Sequence, residues 1–139
     1  MKTPNTDPLP LLQHVLQTIA TRKVSTSAAE ARSLGFLAAT DRIVMNRDHQ
    51  VALAKHVVLE LADTGYSPPA RGKTCYAAGR DALAALRAGL YVMRQGEFIT
   101  ESDLHASNKV AFVLCGGDIS SGQWVDEQYF LDLEREAMV

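Results

Sequence analysis

The stretch Arg80-Asp-Ala-Leu-Ala-Ala-Leu-Arg-Ala-Gly-Leu-Tyr-Val-Met-Arg-Gln-Gly96 decides the fold class. Leu83, Leu86, Leu90 and Met93 follow at helical intervals, so they share one face and predict a helix over about 80–95. Ala82, Gly89 and Gly96 recur every seven residues and leave a small-residue stripe where another backbone could approach closely. Arg80, Arg87 and Arg94 recur at the same period and line one side. A helix with a single apolar face must bury it against neighbours, and the flanking sequence supplies helices.

Downstream, Thr100 to Asp103 offers helix-starting chemistry, and Val110-Ala-Phe-Val-Leu-Cys115 follows without alternation, as a buried helix would. Cys115-Gly-Gly117 stops it, and a last helix is expected from about Trp124, with Val125, Tyr129, Leu133 and Ala137 on one face. Upstream, residues 66–79 carry Pro68, Pro69, Gly72 and Gly79 and form the longest loop candidate. Before it, Val51, Ala54, Val58, Leu61 and Ala62 mark a helix over about 49–64, capped by Asn46 or Asp48 and ended by Gly65. Ser27-Ala-Ala-Glu30 has capping-box spacing, with Gly35 as the stop of that short helix. Leu11, Leu12, Val15, Leu16 and Ile19 predict a first helix over about 10–22, and residues 1–8 read as a loose arm. The one β signal is Asp41-Arg-Ile-Val-Met45, which reads as a strand or an extended link. As a strand its unpaired edges would invite a sheet elsewhere or a second copy of the chain, so homo-oligomerisation through 41–45 is expected.

The expectation is therefore a mostly α fold, about six helices with one short strand, in a single domain over 9–139. Its core is expected to hold Leu86, Leu90, Val58, Leu61, Val110, Phe112, Leu114 and Leu133. The 139 residues, 15.1 kDa, suit one domain. Fourteen Lys and Arg against sixteen Asp and Glu give a net charge of −2, which argues against a nucleic-acid partner. Two cysteines make neither a disulfide framework nor a four-cysteine zinc site. No apolar run is long enough for a membrane span, and no leader is visible, so a cytoplasmic location is expected.

Few residues point to chemistry. Gly117-Asp-Ile-Ser-Ser-Gly122 has the spacing of half a phosphate loop, but Gln123-Trp124 stands where Lys and then Ser or Thr belong, so it reads as a turn. No GxGxxG is present. His14, His49, His56 and His105 form no HExxH or Cys/His cluster, so no metal site is expected. Cys75 near Lys73 reads as an ordinary thiol. No catalytic or cofactor-binding residue is assigned. The Arg80, Arg87 and Arg94 stripe could meet the phosphates of a nucleotide-bearing ligand or an acidic partner surface, its plainer reading being a solvated helix face.

Several segments together carry a resemblance. Lys23-Val-Ser-Thr-Ser-Ala-Ala-Glu-Ala31, Leu34-Gly-Phe-Leu37, Asp41-Arg-Ile-Val-Met-Asn-Arg-Asp48, Leu114-Cys-Gly-Gly-Asp118 and Glu127-Gln-Tyr-Phe-Leu-Asp-Leu-Glu-Arg-Glu136 stand in the family's order. From about residue 9 onward the chain resembles the C-terminal, crotonase-like (enoyl-CoA hydratase-like) end of bacterial multifunctional 3-hydroxyacyl-CoA dehydrogenases of fatty-acid β-oxidation. The resemblance implies a helical element that covers a hydratase-like core and contributes to assembly. It implies NAD and acyl-CoA for the parent enzyme, neither cofactor held by this piece alone, the remainder of the parent as partner, and the Arg80, Arg87 and Arg94 face as the one place here to look for CoA phosphates. The family's NAD site, catalytic pair and oxyanion hole lie in parts that these residues do not match. A fragment inactive by itself is therefore expected, with a stand-alone helical protein-interaction module as the alternative and a nucleic-acid-contacting regulator as a weaker one.

Overall fold

The computed structural model describes residues 5–68 and 72–138. Among the described residues six α-helices are present: α1 (Leu9–Ala20), α2 (Ala28–Ser33), α3 (Gln50–Asp63), α4 (Arg80–Gln95), α5 (Glu101–Leu114) and α6 (Glu127–Met138). A single 3-10 turn spans Arg47–His49, and two short strands, β1 (Thr74–Ala77) and β2 (Gln123–Asp126), complete the order. The fold is mostly α, as the periodicities require. The chain forms two compact units, one made of residues 1–23 and 72–139 and the other of residues 24–71.

In the larger unit the buried core is built from Leu16 and Ala20 of α1, Leu83, Leu86 and Leu90 of α4, Ile99, and Ala111 and Cys115 at the end of α5. Leu86 and Leu90 are each only 2% exposed, and burial of side chains of this size contributes roughly 1.5–3 kcal/mol apiece. Val110, Phe112 and Leu114 are half-buried and pack against this cluster, which makes 110–115 a helix as expected. Leu133 of α6 is half-buried beside Gly117.

The two strands pair antiparallel, with Tyr76 opposite Trp124 and Cys75 opposite Val125. The Tyr76 and Trp124 rings meet edge-on with centroids 5.5 Å apart, the kind of cross-strand contact that stabilises a short ribbon. β1 falls inside the expected 66–79 loop, and β2 takes the residues expected to begin the last helix, which starts instead at Glu127. Proline 69 and residues 70–71 of that loop, like residues 1–4 of the expected arm, lie outside the described residues.

The expected strand at 41–45 does not form. Asp41 is engaged in a turn instead: its amide donates to the Ala38 carbonyl, 3.1 Å, and its carboxylate accepts from the Ala38 amide, 2.8 Å. Its carbonyl accepts from the Arg32 guanidinium. Ile43 and Val44 are left without a ladder partner among the described residues, and β propensity alone does not hold a strand.

In the smaller unit, Ser27 caps α2 by accepting from the Glu30 amide, 3.1 Å. The Glu30 carboxylate reaches past the cap to the amide and hydroxyl of Thr26. Gly35, at φ +81°, ends that helix in the left-handed cap conformation that glycine takes without strain. Asn46 caps the 3-10 turn that leads into α3. Val58 and Leu61, expected in the core, are instead 63% and 41% exposed. Ala31 is the only buried side chain among the described residues of this unit.

Candidate functional site

The arginine face lies on α4, whose apolar side is fixed in the core of the larger unit, so the three guanidinium groups are carried by a rigid element. One turn-repeat of seven residues separates consecutive arginines by about 10 Å along the axis. Two of the three are engaged. Arg80 Nε donates to Asp118 Oδ1 at 3.0 Å, and Arg94 Nε donates to Glu101 Oε2 at 3.2 Å. Arg80 and Asp118 are both mostly exposed, so that pair is weak and an incoming phosphate could compete for it. Arg87 makes no ion pair among the described residues, and its charge acts on Cys115 across the α4–α5 contact. The structure thus places the three arginines on one side, as the spacing requires. The sequence did not reveal that the turn after α5 and the first turn of α5 supply carboxylates to the two outer ones.

Two amides at the start of α4 are taken up by the chain itself. The Gly79 amide donates to the Cys115 carbonyl and the Arg80 amide to the Ile119 carbonyl, both at 2.9 Å. Residues 115–122 are therefore a turn packed on β1 and the entry to α4, and the GxxxxG spacing belongs to that turn. Gly116, at φ +82°, lets its backbone press on Ala77, where any added Cβ would collide with the Ala77 methyl. Tyr129 of α6 secures the same turn by donating its hydroxyl to the Gly116 carbonyl at 2.8 Å.

A dinucleotide does not fit these residues. Such a ligand needs a helix start behind a parallel strand, whereas the described strands form a two-stranded antiparallel ribbon and the Gly79 and Arg80 amides are already used. Among the described residues no group of three His, Cys, Asp or Glu could hold a metal ion. The four histidines are all exposed, His14 on α1, His49 and His56 in the smaller unit, and His105 on α5. Cys75 is exposed on β1, whereas burial pushes the Cys115 thiol up to about 11, only partly offset by Arg87, so Cys115 stays a neutral core group.

Several grooves indent the larger unit. Gln13, Leu16 and Gln17 of α1 face Ala85, Leu86 and Gly89 of α4 across a groove of about 330 Å³, so part of the small-residue stripe is open, not filled by a neighbouring backbone. A more apolar groove of about 560 Å³ lies between α1, α5 and α6, over Ile19, Val110, Val113 and Leu114, with Lys109 and Glu134 at its rim. A polar one of about 350 Å³ surrounds Thr100, Glu101 and Asp103. None gathers a nucleophile, a base and an orienting partner, the minimum for covalent or acid–base work. No helix among the described residues is long and apolar enough to cross a membrane.

No protein-family model matches the chain, and no solved structure matches it. A curated relative does: the chain is 40% identical over 133 residues to a probable 3-hydroxyacyl-CoA dehydrogenase of Bacillus subtilis. The aligned stretch takes in 96% of this chain but only 17% of that relative, so the chain is similar to one segment of a much longer dehydrogenase.

Proposed function

We propose that this chain is a helical segment of a fatty-acid β-oxidation 3-hydroxyacyl-CoA dehydrogenase with a hydratase-like part. In this reading it has a structural or assembly role and no turnover of its own. The observation that carries the reading is the 40% identity sustained across 96% of the chain against 17% of the dehydrogenase. A similarity over nearly the whole chain is what a retained structural segment gives. Where the segment meets acyl-CoA at all, Arg87 is the arginine positioned to take a CoA phosphate, with Arg80 released from Asp118 as its second.

The test replaces the matching segment of the Bacillus subtilis relative with the corresponding residues of this chain. The chimaera should oxidise 3-hydroxyacyl-CoA with NAD within a few-fold of the parent, and the isolated chain should turn over neither 3-hydroxybutyryl-CoA nor crotonyl-CoA. A folded chimaera without activity, or an isolated chain with it, would defeat the reading. Titration of the isolated chain with free CoA separates the arginine proposal, since Arg87→Ala should abolish any heat observed.

A further inference from the structure

On the helix α3 (Gln50–Asp63), at about 100° per residue, Val51, Ala54, Val58, Leu61 and Ala62 form one apolar face, Leu59 and Ala52 lie beyond Lys55 on one side, and Leu53 and Val57 lie beyond Gln50 on the other. His56, Glu60 and Asp63 make the polar arc opposite that face, and Glu60 holds Arg42 at 3.1 Å. Only Leu53 and Val57 are even half-buried, while Val51 is 80% and Val58 63% exposed. An amphipathic helix packs its apolar face on a core, so an apolar face left this exposed calls for a further layer over it. The segments beside it repeat the pattern, with Phe36, Met45 and Tyr66 also exposed.

We infer that the unit of residues 24–71 docks through the Val51, Val58 and Leu61 face of α3 onto the body of the dehydrogenase that makes up the other 83% of the relative's length (100% less the 17% that is matched). This inference rests on the reading above and names its contact surface, which is α3 and not the arginine face of α4. A second copy is the poorer occupant. A helix of fourteen residues offers a strip about 21 Å long and about 10 Å wide, far below the roughly 800 Å² per partner that stable pairs bury. A long enzyme body accounts for the exposed side chains together, and the aligned stretch, 96% of this chain, is too long to leave this unit out.

Hydrogen exchange on the chimaera and on the isolated chain tests this. The α3 amides should exchange at least about tenfold more slowly in the chimaera than in the isolated chain. Val58→Arg in the chimaera should remove that protection and lower its thermal midpoint, while His56→Arg, on the polar arc, should change neither. In the isolated chain Val58→Arg should leave helix content unchanged, since the side chain is already in solvent. An active chimaera with unprotected α3, or one indifferent to Val58→Arg, would overturn the inference and leave the functional reading standing. A folded but inactive chimaera would remove the reading and the inference with it. Sedimentation of the isolated chain as a dimer that Val58→Arg dissociates would assign the face to a second copy and overturn the inference as well. Val58→Arg slowing or speeding exchange in α1, α4 or α5 of the isolated chain would assign it to the chain's own larger unit, with the same consequence.

Discussion

The two cysteines show what a single side chain's surroundings decide. In sequence they are indistinguishable thiols, and the reading that neither builds a disulfide framework needed only their number. Their difference is one of packing: Cys115 closes the core at the end of α5 with no exposed surface, and Cys75 sits exposed on β1. The thiolate is the reactive form, and burial raises the Cys115 value to about 11 from an ordinary 9.0. A maleimide or iodoacetamide should therefore label one thiol per native chain, at Cys75, and two after denaturation. Mass spectrometry of labelled peptides checks this, and rapid native labelling of Cys115 would contradict the packing. The same shift has a pH consequence. Above about pH 9 the unfolded thiol loses its proton while the native one keeps it until about 11, so the unfolded state gains and stability falls across that window. Cys115→Ser should remove that part of the alkaline fall. Arg80 and Arg94 teach the same lesson on the surface. Their seven-residue period was legible, whereas Asp118 lies 38 residues from Arg80 and became its partner only through the fold.

Among the elements, local chemistry was legible wherever it was sufficient to form structure, and α5 is the clearest case. Thr100 accepts from the Asp103 amide at 3.1 Å while the Asp103 carboxylate accepts from the Thr100 amide, 3.1 Å, and hydroxyl, 2.7 Å. These hydrogen bonds, with a smaller contribution from the charge of Arg22, hold the Asp103 carboxyl below its ordinary value of 3.8. Stability from this group is full above pH 3.8 and is lost as pH falls through the lower native value. Asp103→Asn should therefore flatten the acid limb of the stability curve below about pH 4 and leave the neutral plateau little altered in shape. Thr100→Ala should cost about 1 kcal/mol at neutral pH, measured by urea denaturation. The β ribbon was not legible for the complementary reason. Thr-Cys-Tyr-Ala and Gln-Trp-Val-Asp are four residues each, separated by 45 residues of chain between Ala77 and Gln123, and neither is a strand without the other. Asp41-Arg-Ile-Val-Met45 has the better local propensity and no ladder partner, so it stays irregular. Strand formation is a property of pairs, and a single-sequence reading sees one member at a time.

For the molecule as a whole the decisive contrast is between a unit with a core and a unit almost without one. Residues 1–23 and 72–139 bury three leucines of α4 against α1 and α5. Residues 24–71 bury Ala31 alone among those described, while Val51, Val58 and Met45 face solvent. The expected core list mixed the two because period alone says which residues share a face, not which face is covered. Which face is covered depends on what packs against it, and a periodicity does not carry that. An isolated helix of about 12–15 residues is marginal in water, so α3 has little to hold it apart from its own hydrogen bonds and the Arg42–Glu60 pair. The chain's single tryptophan, Trp124, reports on the other unit, where it pairs with Tyr76 across the ribbon. Urea unfolding of the isolated chain should accordingly fail the two-state test. Far-ultraviolet circular dichroism should begin to fall at lower urea than tryptophan fluorescence, the early loss corresponding to α2 and α3. A Leu86→Ala variant should pull the fluorescence transition down by about 2–5 kcal/mol and leave the early dichroism loss in place. Coincident curves would mean that 24–71 is stabilised by the larger unit, and α3 would then need no other body to cover it.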